Sequence, residues 1–154
     1  MKLVTILSAG FALIAASPLS AQESDDIAPL ARTIATRDSD FTQAFNAGRI
    51  ADAVAFYEDD ALLMVPGEPP MQGEKAIANV LAGLAKQAKN LSLRPAVVRP
   101  LGDDYALEVG VLSYEQAGEN GTADVVTEKY QAVWHLGDDG IWYFASDMMN
   151  ALPD

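Results

Sequence analysis

The sequence contains no cysteine in its 154 residues. That excludes disulfides, thiol catalysis, zinc–thiolate sites and a lipidated N-terminal cysteine. Histidine occurs once, at His135, so an imidazole-based metal set cannot be assembled and no metal is expected. Basic residues are few: 10 Lys and Arg stand against 22 Asp and Glu, a net charge of −12. No basic cluster offsets this, so neither nucleic acid nor an anionic membrane surface is expected as a partner. The sequence also lacks a phosphate-binding glycine loop, a nucleophile elbow and a serine–histidine–acid arrangement. No cofactor is expected.

Long apolar runs are missing too, except at the N-terminus. Lys2 precedes an apolar stretch from Leu3 to Ala16, followed by Ser17-Pro18-Leu19-Ser20-Ala21. This is the layout of a secretory signal, with a helix breaker and a small residue at the cut. The apolar run is shorter than the roughly 20 residues of a membrane span. The expected organisation is therefore a signal peptide over 1–21, a polar leader over 22–25 and one domain over 26–154. The destination is periplasmic or secreted. An exported domain without disulfides needs a substantial apolar core, and this chain is long enough to build one.

Apolar residues at Ile27, Leu30, Ala31, Ile34, Phe41, Ala44 and Phe45 mark one face of a helix that ends at Asn46-Ala47-Gly48. A shorter helix is expected over Ile50–Tyr57, then a strand over Ala61–Val65. Pro66-Gly67-Glu68-Pro69-Pro70 interrupts regular structure. A third helix is expected over Glu74–Asn90, with Ile77, Val80, Leu81 and Leu84 as its stripe and Lys86 and Lys89 in its last turn. Four strands follow: Leu91–Val98, Tyr105–Tyr114, Val125–His135 and Ile141–Met148. The turns are Gly102-Asp103-Asp104, Glu119-Asn120-Gly121 and Gly137-Asp138-Asp139-Gly140. Helices first and antiparallel strands afterwards is an α+β pattern.

Three stretches carry a family resemblance: Ala44-Phe45-Asn46-Ala47-Gly48; Phe56-Tyr57-Glu58-Asp59-Asp60-Ala61 with Pro66-Gly67 and Gly73-Glu74-Lys75-Ala76-Ile77; and Lys129-Tyr130-Gln131-Ala132-Val133-Trp134 with Asp139-Gly140-Ile141-Trp142 and Asp147-Met148-Met149-Asn150. In order and spacing the sequence resembles the nuclear transport factor 2-like superfamily, in its SnoaL-like branch of small bacterial proteins. The resemblance implies a cone-shaped fold, with helices packed in a curved antiparallel sheet around a pocket, and a homodimer. The family includes isomerases, dehydratases, polyketide cyclases and non-catalytic members, so fold settles no chemistry. Ketosteroid isomerases of this fold carry their base aspartate just before the proline of the first strand. Here that residue is Val65, before Pro66, which argues against their mechanism.

Asp38 falls inside the first helix's apolar stripe. A carboxylate there either faces a cavity with a raised pKa, as a general acid or base would, or reaches water at the helix edge. On Val125–His135, parity puts Val126, Glu128, Tyr130, Ala132 and Trp134 inward, with Glu128 at the rim and Tyr130 and Trp134 as walls. The same parity turns His135 outward. Asp147 shares a strand face with Ile141, Tyr143 and Ala145, opposite Trp142, Phe144, Ser146 and Met148. Both faces are largely apolar, so parity leaves its direction open; the resemblance favours it as a pocket acid. Phe41, Phe45 and Tyr57 read as core, and Asp59-Asp60 as a cap or turn. The candidate site is thus Asp38, with Glu128 or Asp147 as partner, in a cavity lined by Phe41, Phe45, Tyr130 and Trp134. The expected function is binding, and acid–base transformation such as proton transfer or dehydration, of a mainly apolar small molecule. The alternative is a non-enzymatic ligand-binding or dimeric interaction module. An outward patch of Val125, Val133 and His135, with Trp142 beside them, would carry the homodimer.

Overall fold

The structure, a computed structural model, describes residues 19–118 and 122–152. Its elements run α1 (Leu19–Asn46), α2 (Ile50–Val54), β1 (Tyr57–Met64), β2 (Met71–Gln72), α3 (Glu74–Gln87), β3 (Lys89–Pro100), β4 (Tyr105–Ala117), β5 (Ala123–Leu136) and β6 (Trp142–Ala151). The expected signal segment lies outside the described residues, apart from Leu19–Ala21, which open α1. Residues 22–25, expected as a leader, fall within α1, and nothing between Pro18 and Pro29 breaks a helix. The turn Glu119-Asn120-Gly121 also lies outside the described residues.

One six-stranded sheet forms in the order β2-β1-β6-β5-β4-β3. All neighbours are antiparallel except β1 and β6, which run parallel. The sheet is therefore mixed rather than purely antiparallel. The fold is α+β, with helices packed on a curved sheet.

Local boundaries differ from the sequence reading, most of all in three places. The second helix stops at Val54, and Tyr57, Asp59 and Asp60 belong to β1. Pairing with β6 starts at Tyr57 opposite Phe144, so tertiary hydrogen bonds override the helical spacing there. The third helix stops at Gln87; Ala88 is already extended and Lys89 pairs with Glu115. Finally, Met71–Gln72 adds a two-residue strand on β1, which no alternation signal marks.

The first helix closes on Gly48, whose φ of +71° is the left-handed conformation that glycine adopts at no steric cost. Asn46 then ties this end of α1 to the sheet. Its side chain donates to the Leu91 carbonyl and accepts from the Leu91 amide, both at 2.8 Å. The core lies between α1, α3 and the concave face of the sheet. It contains Ile34, Phe41, Phe45, Tyr57, Leu63, Ile77, Leu81, Trp134 and Phe144, all buried.

One irregularity decides which residues share that face. Between β5 and β6 the register shifts: Trp134 pairs with Phe144 but Val133 pairs with Ser146, leaving Ala145 as an extra residue. Such a bulge reverses side-chain parity beyond it. Phe144 and Asp147, on opposite faces of a regular strand, both turn inward and are buried. Trp142 also packs against the core. It is not part of an outward patch.

Candidate functional site

The concave face opens into a cavity of about 750 Å³ beneath α3. Leu81, Leu84, Leu91, Leu93 and Leu112 give it apolar walls, with Phe41, Phe45, Tyr57, Tyr130 and Phe144 toward the closed end. Carboxylates reach it at Glu68, Glu128 and Asp147.

Asp147 stands at the closed end, on the inner face of β6. It faces the same space as Tyr57, whose hydroxyl donates to its Oδ2 at 2.9 Å. Burial raises its pKa from 3.8 to about 7; the Tyr57 hydrogen bond opposes the shift and the charge on Glu108 adds to it. The phenol of Tyr57 is raised well above its ordinary value by burial and by the neighbouring carboxylate, so it stays a proton donor. A carboxyl poised near neutrality on a cavity wall can take or give a proton at working pH.

Behind this wall sits a second group of acids. Ala132 in β5 is flanked in register by Glu108 of β4 and by Asp147 of β6. The two acids therefore lie two strand spacings apart, about 10 Å between backbones. Glu108 is completely buried. It accepts from the Trp134 indole at 2.6 Å and from the Tyr130 hydroxyl. Tyr130 reaches it by lying across β4 at Gly110, where a Cβ would come within 2.7 Å of the tyrosine ring and 2.5 Å of the Arg94 carbonyl oxygen. Only glycine fits there.

Asp38 comes down from α1 onto this group. It is 3 % exposed, and neither carboxyl oxygen meets a hydrogen-bond donor. The neighbour it does meet is the Glu108 carboxyl. Two carboxyls side by side out of water keep a proton between them. Asp38 is the one that holds it: burial raises its pKa from 3.8 to about 9, with the charges of Glu108 and Asp147 contributing. Glu108 instead has two donors of its own, Tyr130 and Trp134. The adjacent cation, Arg37, is engaged elsewhere; its Nε donates to the Trp142 carbonyl at 2.9 Å and its guanidinium lies over the Phe56 ring.

Asp38 and Trp134 were expected to line the cavity, and neither does. Both lie one step deeper. Asp38 is about 10 Å along α1 from Phe45, and Trp134 about 13 Å along β5 from Tyr130. At that depth Trp134 and Phe144 stack with ring centroids 3.8 Å apart and fill the space. Phe41, Phe45 and Tyr130 do line the cavity. Glu128 lines it as well, near Tyr114, but four residues from Ala132 and so about 13 Å along the strand from Asp147. It is no direct partner of either aspartate. Burial raises its pKa. His135 points to the convex face, against Glu58 and stacked on Tyr105.

Two residues of this arrangement escape a linear reading. Tyr57 was taken for a helical core residue. Glu108 belongs to the set Ala106, Glu108, Gly110 and Leu112, which looks less apolar than Leu107, Val109 and Val111. The small set faces inward because the large rings of Tyr130 and Trp134 occupy the space above it.

Among the described residues, no three acidic or histidine side chains converge as a metal site. The fold and cavity define a class: small α+β proteins whose sheet and helices enclose an apolar pocket bearing carboxylates. The model of the SnoaL-like domain family matches residues 39–144, and the chain belongs to that family. No curated protein matches the chain. Among solved structures, a ketosteroid isomerase-like protein from Erwinia carotovora atroseptica is similar at a TM-score of 0.70 and 19% identity, over 80% of this chain and 96% of its own. A candidate scytalone dehydratase from Novosphingobium aromaticivorans reaches 0.71 at 14% identity, over 84% and 89%. A nuclear transport factor 2-like superfamily protein from Salmonella enterica reaches 0.69 at 12%, over 83% and 94%. Identities this low establish the fold alone.

Proposed function

We propose that the protein binds a mainly apolar small molecule and transforms it by proton transfer or dehydration, with Asp147 as the acid–base group. The observation that carries this is the Asp147 carboxyl, hydrogen-bonded by Tyr57 and facing a cavity of about 750 Å³. That volume suits a drug-sized ligand, for which pockets run roughly 300–1,000 Å³. In this reading Asp147 removes a proton from a carbon beside a carbonyl, and Tyr57 donates to Asp147 and holds its orientation. Asp38 and Glu108 touch no ligand. Glu108 fixes Tyr130 and Trp134 by hydrogen bonds, and Tyr130 is part of the cavity wall.

The test is α-proton exchange of a panel of cyclic ketones in D₂O, followed by NMR. Wild type should accelerate exchange, and Asp147→Asn should lose about 100-fold or more of that acceleration. Binding of the ketones without accelerated exchange would leave the non-enzymatic ligand-binding reading in its place.

The setting we propose is outside the cytoplasm, following the signal-like segment 1–21. Intact mass of protein from its own host should lack that segment; a mature chain beginning at Met1 refutes it. We also propose a homodimer through the convex sheet face. Val97 and Val125 are exposed there, and Val97 is paired with Val109. Sedimentation showing only monomer at high micromolar protein would exclude it.

A further inference from the structure

The cavity's charge inventory is one-sided. Its wall carries Glu68, Glu128 and Asp147, and among the described residues no lysine, arginine or histidine is part of it. The neighbouring cations do not supply a counter-charge: Lys129, next to Glu128, is exposed on the opposite face of β5, Arg37 is held on the Trp142 carbonyl, and His135 is on the convex face.

Glu128 is the telling residue. It is 8 % exposed, lines the cavity, and receives no hydrogen bond among the described residues. Tyr114 lies beside it, and Leu112 is its partner across the strand. A carboxylate almost out of water with no donor is costly unless something else supplies one. At this position its carboxyl oxygens open onto the cavity, so the donor comes from what the cavity holds, solvent or ligand.

We propose that the ligand of this cavity is a cationic amphiphile, an apolar body carrying a protonated amine, and that Glu128 is the residue that holds the amine. This rests on the pocket reading above and adds the charge of the ligand to it. The ammonium donates to Glu128, with the ring of Tyr114 beside it as a further favourable surface for a cation. The apolar body lies along Leu84, Leu91 and Leu93. Its far end comes to Asp147, about 13 Å from Glu128 along the sheet. An anionic ligand meets three carboxyls and no cation, and is excluded.

The test uses three probes that differ only in the head group: 3-(2-naphthyl)propylamine, the corresponding propanol and the corresponding propanoate. Each is titrated at pH 8 by calorimetry into wild type, Glu128→Gln and, as a control on the exposed turn between β3 and β4, Asp103→Asn. The amine should bind wild type at least about 10-fold tighter than the alcohol, a difference of about 1.4 kcal/mol, and the propanoate should not bind measurably. Glu128→Gln should abolish most of the amine's advantage and leave the alcohol unchanged; Asp103→Asn should preserve the advantage. An alcohol that binds as well as the amine to wild type overturns the charge assignment and leaves the pocket standing, whether or not the variants fold. An amine advantage untouched in folded Glu128→Gln overturns the role of that residue. Failure of all three probes to bind overturns the pocket reading together with this one.

Discussion

Replacing Asp38 by Asn isolates the buried proton of the Asp38–Glu108 pair. The wild-type carboxyl has an ordinary value of 3.8 and is raised to about 9 in the folded chain. In the unfolded chain Asp38 is ionised above 3.8; in the folded chain it stays protonated up to about 9. Folding therefore takes up a proton across this window, and stability falls with pH at about 1.4 kcal/mol per unit. At pH 7 the accumulated cost is roughly 4 kcal/mol. Below pH 3.8 it is absent, because both states are protonated. Asparagine keeps the shape, places an amide beside Glu108, and carries no proton to take up. Its amide atoms are as short of partners as the two Asp38 oxygens, so part of the gain is lost again. Asp38→Asn should be more stable than wild type by about 1–3 kcal/mol at pH 7. The offset should be about 3 kcal/mol larger at pH 7 than at pH 5. Urea unfolding of both proteins at the two pH values measures this directly. The same offset at both pH values would show that Asp38 holds no buried proton, and the geometry argued around Glu108 would fail with it.

Tyr57→Phe removes the hydrogen bond that pulls the Asp147 pKa down. A carbon-detected NMR titration should find the wild-type carboxyl near pH 7 and the variant higher; an unmoved midpoint contradicts the pairing. Gly110→Ala places a methyl 2.5 Å from the Arg94 carbonyl oxygen and 2.7 Å from the Tyr130 ring. It should cost about 1–3 kcal/mol in chemical denaturation and disturb Tyr130. A neutral effect would mean the ring does not cross the strand there.

Much of the architecture is legible in the linear pattern. The stripe Ile34, Asp38, Phe41 and Phe45 has helical spacing, and all four are buried in α1. Alternation in Val126, Glu128, Tyr130, Ala132 and Trp134 marks the inner face of β5, because side-chain direction in a strand is set by parity alone. Turn chemistry at Gly102-Asp103-Asp104 separates β3 from β4. Helix ends and the first strand were less legible. Tyr57 has helical neighbours, yet pairs with Phe144, a residue far along the chain.

The site divides along the same line. That Asp38 lies on a buried face follows from local spacing. That it meets a second carboxyl does not, since Glu108 comes to it only through the register that sets β4 beside β5. The inward turn of Asp147 depends on one extra residue, Ala145, and a bulge is a property of two paired strands rather than of either alone. Its proton affinity is decided later still, by the burial and the Tyr57 hydroxyl that packing supplies. Local periodicity determines which residues go inside; which of them touch, and with what charge, is settled by strand register and by the low-dielectric space the packed rings leave.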